Sequence, residues 1–177
     1  PLINEHTRAI LVTNPGNPTG VVLSPEEMRL IADIAKEHGL FLISDEVYRE
    51  FVYGGEPLAS MAQFDDAAEN VVVVDSISKR FSACGARVGI LVSRNRELMA
   101  QALKICQGRL CAATLDQLGA AALYGVGSDY FSAVREEYHR RRDTCMEGLS
   151  QIPGVVCECP KGAFYLMAKL PVDDTDT

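Results

Sequence analysis

Four consecutive valines, Val71 to Val74, run into Asp75-Ser76-Ile77-Ser78-Lys79, and Arg87 follows shortly after the lysine. A primary amine among small hydroxyls, with a guanidinium close behind, can attack a carbonyl while an anion is held beside it. Covalent tethering of a phosphorylated carbonyl compound needs that combination. The same residues also fit a surface turn with two ordinary cations, and this stretch alone does not separate the readings. Two other places carry comparable chemistry. Asn14-Pro15-Gly16-Asn17-Pro18-Thr19-Gly20 combines two Asn-Pro units with two glycines in a stiff, non-repetitive loop. Ser44-Asp45-Glu46-Val47-Tyr48 puts a carboxylate directly after an apolar run, where it is partly desolvated, and a phenol three residues on. The competing reading of Asp45 is a helix N-cap for the turn that follows.

Each of these groups follows a segment that reads as a buried strand: Ala9 to Thr13, Leu40 to Ile43, and the valine run. Between the first two, Ser24, Pro25 and Glu27 give a capping box with proline at the first helical position. Met28, Ile31, Ile34 and Ala35 then share one face, and Gly39 stops the helix. Strand, helix, strand is a βαβ unit, so these strands are expected to be parallel, with their functional groups at one carboxyl edge. Val88 to Ser93 follows Lys79 too closely for a crossover and is expected to run antiparallel to the valine strand. Residues 50–70 read as a loop-rich lid or surface excursion. Asn95 to Gln107 is expected to be helical with Leu98, Ala102 and Ile105 inside. Thr114 with Gln117 suggests a second capping box on a buried, alanine-rich helix, and Ser128 or Asp129 a cap on a long helix to about Ser150. Val155 to Cys159 and Ala163 to Ala168 read as strands of a different layer.

The three strand ends, taken in order, resemble the pyridoxal-phosphate enzymes of fold type I, and more narrowly the class I/II aminotransferases related to aspartate aminotransferase. The resemblance is carried by NPGNPTG (14–20), SDEVY (44–48), SISKRFSACGARVG (76–89) and CPKGAFYLMAKLP (159–171). It implies an α/β fold, the three-layer α/β/α sandwich of that family's large domain. The sheet would be mostly parallel with one antiparallel strand, and a smaller α+β domain would begin near the end of the chain. Residues 1–127 would be part of the cofactor domain. Residues 128–177 would be an interdomain helix and the start of the small C-terminal domain. The cofactor would be pyridoxal 5'-phosphate, held as an internal aldimine on Lys79. Asp45 would keep the pyridine nitrogen protonated, since a carboxylate partner favours the charged form. Tyr48 and Asn17 would bond the ring's phenolic oxygen. Ser76, Ser78 and Arg87 would hold the phosphate, the arginine through its planar fork.

The implied reaction moves an amino group from an L-amino acid, aspartate by default, to a 2-oxo acid such as 2-oxoglutarate. A carbon–sulfur or other lyase on the same scaffold is the alternative, because fold and cofactor do not fix the reaction. A cofactor-sensing regulatory module is a third reading. The family's glycine-rich phosphate segment, ring-stacking aromatic and substrate-carboxylate arginine have no counterpart here. With Pro1 first and an acidic run Asp173 to Thr177 last, a fragment of a homodimeric enzyme with its site at the subunit interface is expected. A net charge of −7 argues against a general nucleic-acid binder, and no apolar run reaches membrane length. His139-Arg140-Arg141-Arg142 reads as a solvated helix face. Six cysteines without a CxxC fit free thiols in a reducing cytoplasm and no metal site.

Overall fold

A computed structural model describes residues 2–54 and 58–172. The acidic run Asp173 to Thr177 and residues 55–57 of the expected lid lie outside them. Strands β1 (Ala9–Thr13), β2 (Phe41–Asp45), β3 (Val71–Ser76) and β4 (Gly89–Ser93) form one sheet in that order. β1, β2 and β3 are parallel, and β4 returns antiparallel to β3 as its short connection requires. Thr13 pairs with Asp45, and Asp45 with Val74, so the three parallel strands end along one edge.

Helix α1 (Pro25–Glu37) starts as its sequence dictates. Glu27 N donates to Ser24 Oγ, and Ser24 N donates to Glu27 Oε2 at 2.8 Å. Its exit uses Gly39 at φ +62°, a backbone that disfavours residues with a Cβ. Met28, Ala32 and Ala35 bury against Leu42, Val71, Val73 and Met61 to form the main core. Each large apolar side chain buried there contributes about 1.5–3 kcal/mol.

The opposite sheet face, with Phe41, Ile43, Val72 and Leu91, looks toward helix α3 (Arg96–Gly108) across a cavity of ≈ 510 Å³. Here the sequence expectation fails. Leu98, Ala102 and Ile105 line that cavity, and Ile105 is 71% exposed. The apolar spacing is real, but among the described residues nothing fills the space between helix and sheet.

Helix α2 (Ile77–Arg80) is a single turn after β3. Helix α4 (Thr114–Leu123) buries only Ala120, and its expected capping box is absent. Gln117 Nε2 instead donates to the Ala112 carbonyl, a backbone group left free at the helix entry. Helix α5 (Ser128–Ser150) begins from Gly127 without a side-chain cap, so neither Ser128 nor Asp129 plays that role. Phe131 packs with Ile77, Phe81 and Ala120, while Val134 and Tyr138 pack with Tyr48, Phe51 and Ala163. The basic run is only partly a solvated face. Arg140 and Arg141 pair with Glu137, but Arg142 lies over the Tyr53 ring and donates to the Pro160 carbonyl.

Strands β5 (Val156–Cys157) and β6 (Ala168–Lys169) pair antiparallel and are shorter than expected. Fully buried Ala163 takes φ 55°, a left-handed backbone that cannot continue a strand. That turn carries Phe164 and Tyr165 toward the sheet edge. The six cysteines are free. Among the described residues, no helix is long and apolar enough to cross a membrane.

Candidate active site

The edge where β1, β2 and β3 end is closed by backbone bonds between neighbouring strand exits. Asn14 N donates to the Asp45 carbonyl, and Glu46 N donates to the Val74 carbonyl, both at 2.9 Å. These bonds carry the loop after β1 and the turn after β2 past their strands in register. Buried Asn14 fixes the first loop further, its Oδ1 accepting from Leu23 N at 3.0 Å. Gly20 then meets the segment before Phe164. Lys161 N and Gly162 N both donate to the Gly20 carbonyl at 2.9 Å. Gly20 has φ +68°, and a Cβ there would lie 2.2 Å from Pro160 Cβ, so only glycine fits.

Asp45 does not cap a helix. Residues 46–50 form turns, and Asp45 Oδ1 accepts from Val47 N at 3.1 Å in a local Asx turn. This holds the carboxylate half-buried at the edge. Tyr48 is 3% exposed, its ring set edge-on against Phe51, Phe164 and Tyr165. Its hydroxyl lies 2.5 Å from that of Tyr165, and the Asn17 side chain lies near enough to act on it. Burial pushes the Tyr48 phenol above the ordinary tyrosine value. The Asp45 charge adds to this, and the Asn17 side chain opposes it.

Lys79 enters from the next strand end. Its Nζ lies 6.0 Å from the Tyr48 ring centroid and 5.8 Å from that of Phe164. The amine therefore stands over the same aromatic group that Asn17 and Asp45 border. One turn earlier, Ser76 Oγ accepts from Ser78 N and lies 2.8 Å from Ser78 Oγ, so the two hydroxyls form one cluster. Arg87 is less closely joined. Its backbone is left-handed, φ 57°, and its Nη1 donates to the Cys84 carbonyl at 2.8 Å. Val88 beside it reaches the cluster, its carbonyl 3.0 Å from Ser76 Oγ. Asn17, Asp45, Tyr48 and Lys79 thus converge, the serines adjoin Lys79, and the Arg87 guanidinium sits at the margin without a bond to either serine.

The match to known proteins is consistent along the whole chain. The model of the family "Aminotransferase class I and II" matches residues 2–176. The chain belongs to the class I and II aminotransferases. It is 38% identical over 167 residues to a probable aspartate/prephenate aminotransferase of Aquifex aeolicus, covering 93% of this chain and 42% of that protein. It is 34% identical to an aspartate aminotransferase of Bacillus subtilis, over 93% of this chain and 42% of that protein. Among solved structures, an aspartate aminotransferase of Thermotoga maritima superposes with a TM-score of 0.87 at 31% identity, over 99% of this chain and 45% of that one. An aromatic aminotransferase of Pyrococcus horikoshii gives 0.85 at 32% identity, covering 93% of this chain and 44% of that one. The chain therefore spans about 42% of the length of the curated relatives it matches.

Pyridoxal 5'-phosphate is the cofactor of this family, and the donor set fits it. The edge offers an amine for its aldehyde, a carboxylate for its ring nitrogen, a phenol and an amide for its ring oxygen, and paired hydroxyls for its phosphate. Four further residues carry no role in the sequence reading. Tyr165 and Phe164 arrive from the far end of the chain; the aromatic pair in GAFY was visible, but its destination was not. Glu46 is 1% exposed beneath Asp45, its Oε1 accepting from Ser44 Oγ, Ser60 Oγ and Met61 N. Arg80, 14% exposed, pairs with Glu50 at 3.0 Å and Asp75 at 3.8 Å. It links the turn bearing Lys79 to the segment bearing Tyr48. Asp75 is pushed above the usual carboxylate range by burial, opposed by the Ser76 N–H bond and the Arg80 charge.

Proposed function

We propose that the protein containing this chain is a pyridoxal-phosphate-dependent aminotransferase. It would move an amino group from an L-amino acid, aspartate by default, to a 2-oxo acid such as 2-oxoglutarate. The carrying observation is the convergence of Lys79, Tyr48, Asn17 and Asp45 at the ends of three parallel strands. The names of the relatives support the choice of substrates. When bound, the cofactor supplies an aldehyde that takes up the amino group and a ring that withdraws electrons from the substrate's α-carbon. Lys79 anchors it and, once released, holds and moves a proton at Nζ. Asp45 holds the proton on the ring nitrogen through a charge-assisted hydrogen bond. Tyr48 and Asn17 orient the ring oxygen. Ser76 and Ser78 hold the phosphate, with Arg87 supplying charge. The rest of the site comes from chain beyond these residues and from a second subunit, which makes the active form a homodimer; the compartment is the cytoplasm.

The test uses the full-length protein. Pyridoxal phosphate should give a visible absorbance band that Lys79→Ala abolishes, with aspartate and 2-oxoglutarate turned over to oxaloacetate and glutamate. A band unchanged in the variant refutes the anchor. Ammonia, pyruvate and a thiol released from a β-thio-substituted alanine such as cystathionine, with no 2-oxo acid required, would make the enzyme a lyase.

A further inference from the structure

Three features outside the assigned roles stand out: the cleft under α3, the buried Arg80 cluster, and the paired hydroxyls of Tyr48 and Tyr165. The last reaches furthest, because it joins two groups far apart in sequence inside the site itself. The oxygens are 2.5 Å apart, so one proton lies between them. Tyr165 is held in place by its own neighbours. Its ring packs on Phe164 at 5.1 Å and edge-on to Tyr48 at 5.5 Å. The backbone leading to it is fixed by Ala163 N donating to the Phe51 carbonyl and by Tyr53 Oη donating to the Ala163 carbonyl.

A tyrosine hydroxyl has one proton to give. If Tyr48 spends it on Tyr165, nothing remains to donate outward. If Tyr165 donates instead, the Tyr48 oxygen accepts from Tyr165, and its own proton is free. A donor that itself accepts hydrogen bonds is polarised and donates more strongly. We propose that Tyr165 is a positioning residue that donates to Tyr48 and turns the Tyr48 proton toward the ring oxygen of the cofactor. This rests on the pyridoxal-phosphate reading above. The other charged or titratable groups facing the pair are Asp45, on the turn before Tyr48, and Lys79, on the turn after β3.

The experiment is a pH titration of the Lys79-dependent visible band in the loaded full-length protein, on Tyr165→Phe, Tyr48→Phe and the double variant. Tyr165→Phe removes one oxygen and keeps the ring packing. Weaker donation to the ring oxygen raises the midpoint, by about half a pH unit for one ordinary hydrogen bond. Tyr48→Phe raises it further, and adding Tyr165→Phe to that variant changes nothing, because Tyr165 acts through Tyr48. A midpoint in Tyr165→Phe equal to the parent's, or a double variant displaced by the sum of the single shifts, overturns the proposal. A parent protein with no such band refutes the cofactor reading instead. The pair is then judged by ultraviolet titration of the tyrosines in the cofactor-free protein. Tyr165→Phe removes a donor to the Tyr48 oxygen and should push the Tyr48 phenol further up, and an unmoved or lowered Tyr48 titration overturns the pairing as proposed.

Discussion

Glu46 is the residue whose replacement separates a structural argument from a sequence motif most sharply. It sits next to Asp45 with a side chain 1% exposed, and its Oε1 takes three donors at 2.9–3.1 Å. Oε2 has no hydrogen bond, only the Arg49 guanidinium at 3.7 Å. Glu46→Ala leaves Ser44 Oγ, Ser60 Oγ and Met61 N without their acceptor. Ser44 and Met61 are fully buried, so water does not replace it. A hydroxyl can turn to another acceptor but the Met61 amide cannot; at about 1–3 kcal/mol per orphaned donor the loss is roughly 3–5 kcal/mol. Removal of the unpaired Oε2 gives part of this back. Glu46→Gln keeps an acceptor at Oε1 and places an amide where Oε2 had no partner, costing about 1–2 kcal/mol. The larger loss approaches the whole stability of a small domain, about 5–15 kcal/mol. Urea unfolding gives the order of the two variants. Hydrogen exchange at the Met61 amide gives the local effect, where 3 kcal/mol of lost protection corresponds to about 100-fold faster exchange. An alanine variant as stable as the glutamine one, or a Met61 amide equally protected in both, refutes the reasoning.

Three further changes test other parts of the framework. Gly20→Ala should cost about 2–4 kcal/mol, from left-handed strain plus the clash with Pro160, and detach the 160–162 segment, seen as faster exchange of the Lys161 and Gly162 amides; unchanged exchange counts against the contact. Tyr53 is 7% exposed, and burial pushes its phenol up to about 12. Its contribution is therefore whole below pH 10, where an unfolded tyrosine begins to ionise, and is lost as pH rises through about 12. Tyr53→Phe should flatten that alkaline limb by at most roughly 2–3 kcal/mol in pH-dependent unfolding, and an equally steep limb would contradict it. Asp45→Asn keeps the acceptor for Val47 N, so the melting temperature should hold while turnover of the full-length enzyme falls by about 100-fold or more in steady-state assays; near-parental turnover rules out the charged role.

What could be read in the chain follows from how local each signal is. The ends of β1, β2 and β3 were legible because an apolar run closed by Asn14, by Asp45, or by Asp75 with Lys79 just after it is a signal contained in a few residues. The Ser24–Glu27 box and the antiparallel return of β4 were legible for the same reason. Helix α3 shows the limit. The spacing of Leu98, Ala102 and Ile105 tells that a face is apolar, but not that anything covers it. Thr114–Gln117 fits a capping pattern, yet Gln117 finds a nearer free carbonyl at Ala112. Glu46, Arg80 and Tyr165 owe their places to partners from other elements, Ser60, Glu50 and Tyr48, and no window of sequence contains both members of those pairs.

The long-range contacts are also what make the site one object. Asn17 lies inside a loop whose last residue, Gly20, is bonded to Lys161 and Gly162. A Cβ on Gly162 would meet Pro15 and Val22 side chains and the Phe51 carbonyl within 3 Å, so the two loops are in backbone contact. The segment beyond Gly162 carries Phe164 and Tyr165, which face Lys79 and Tyr48. Asn17 and Tyr165, both near the Tyr48 hydroxyl, therefore rest on the same clasp. Tyr48 is in turn tied through the 46–50 turns and the Glu50–Arg80 pair to the turn bearing Lys79. A change that loosens Gly20 or Gly162 disturbs both Asn17 and Tyr165 beside Tyr48. A change at Arg80 acts instead on the distance between the phenol and the amine. The two kinds of perturbation are separable: the first alters how Tyr48 donates, the second how Lys79 is placed.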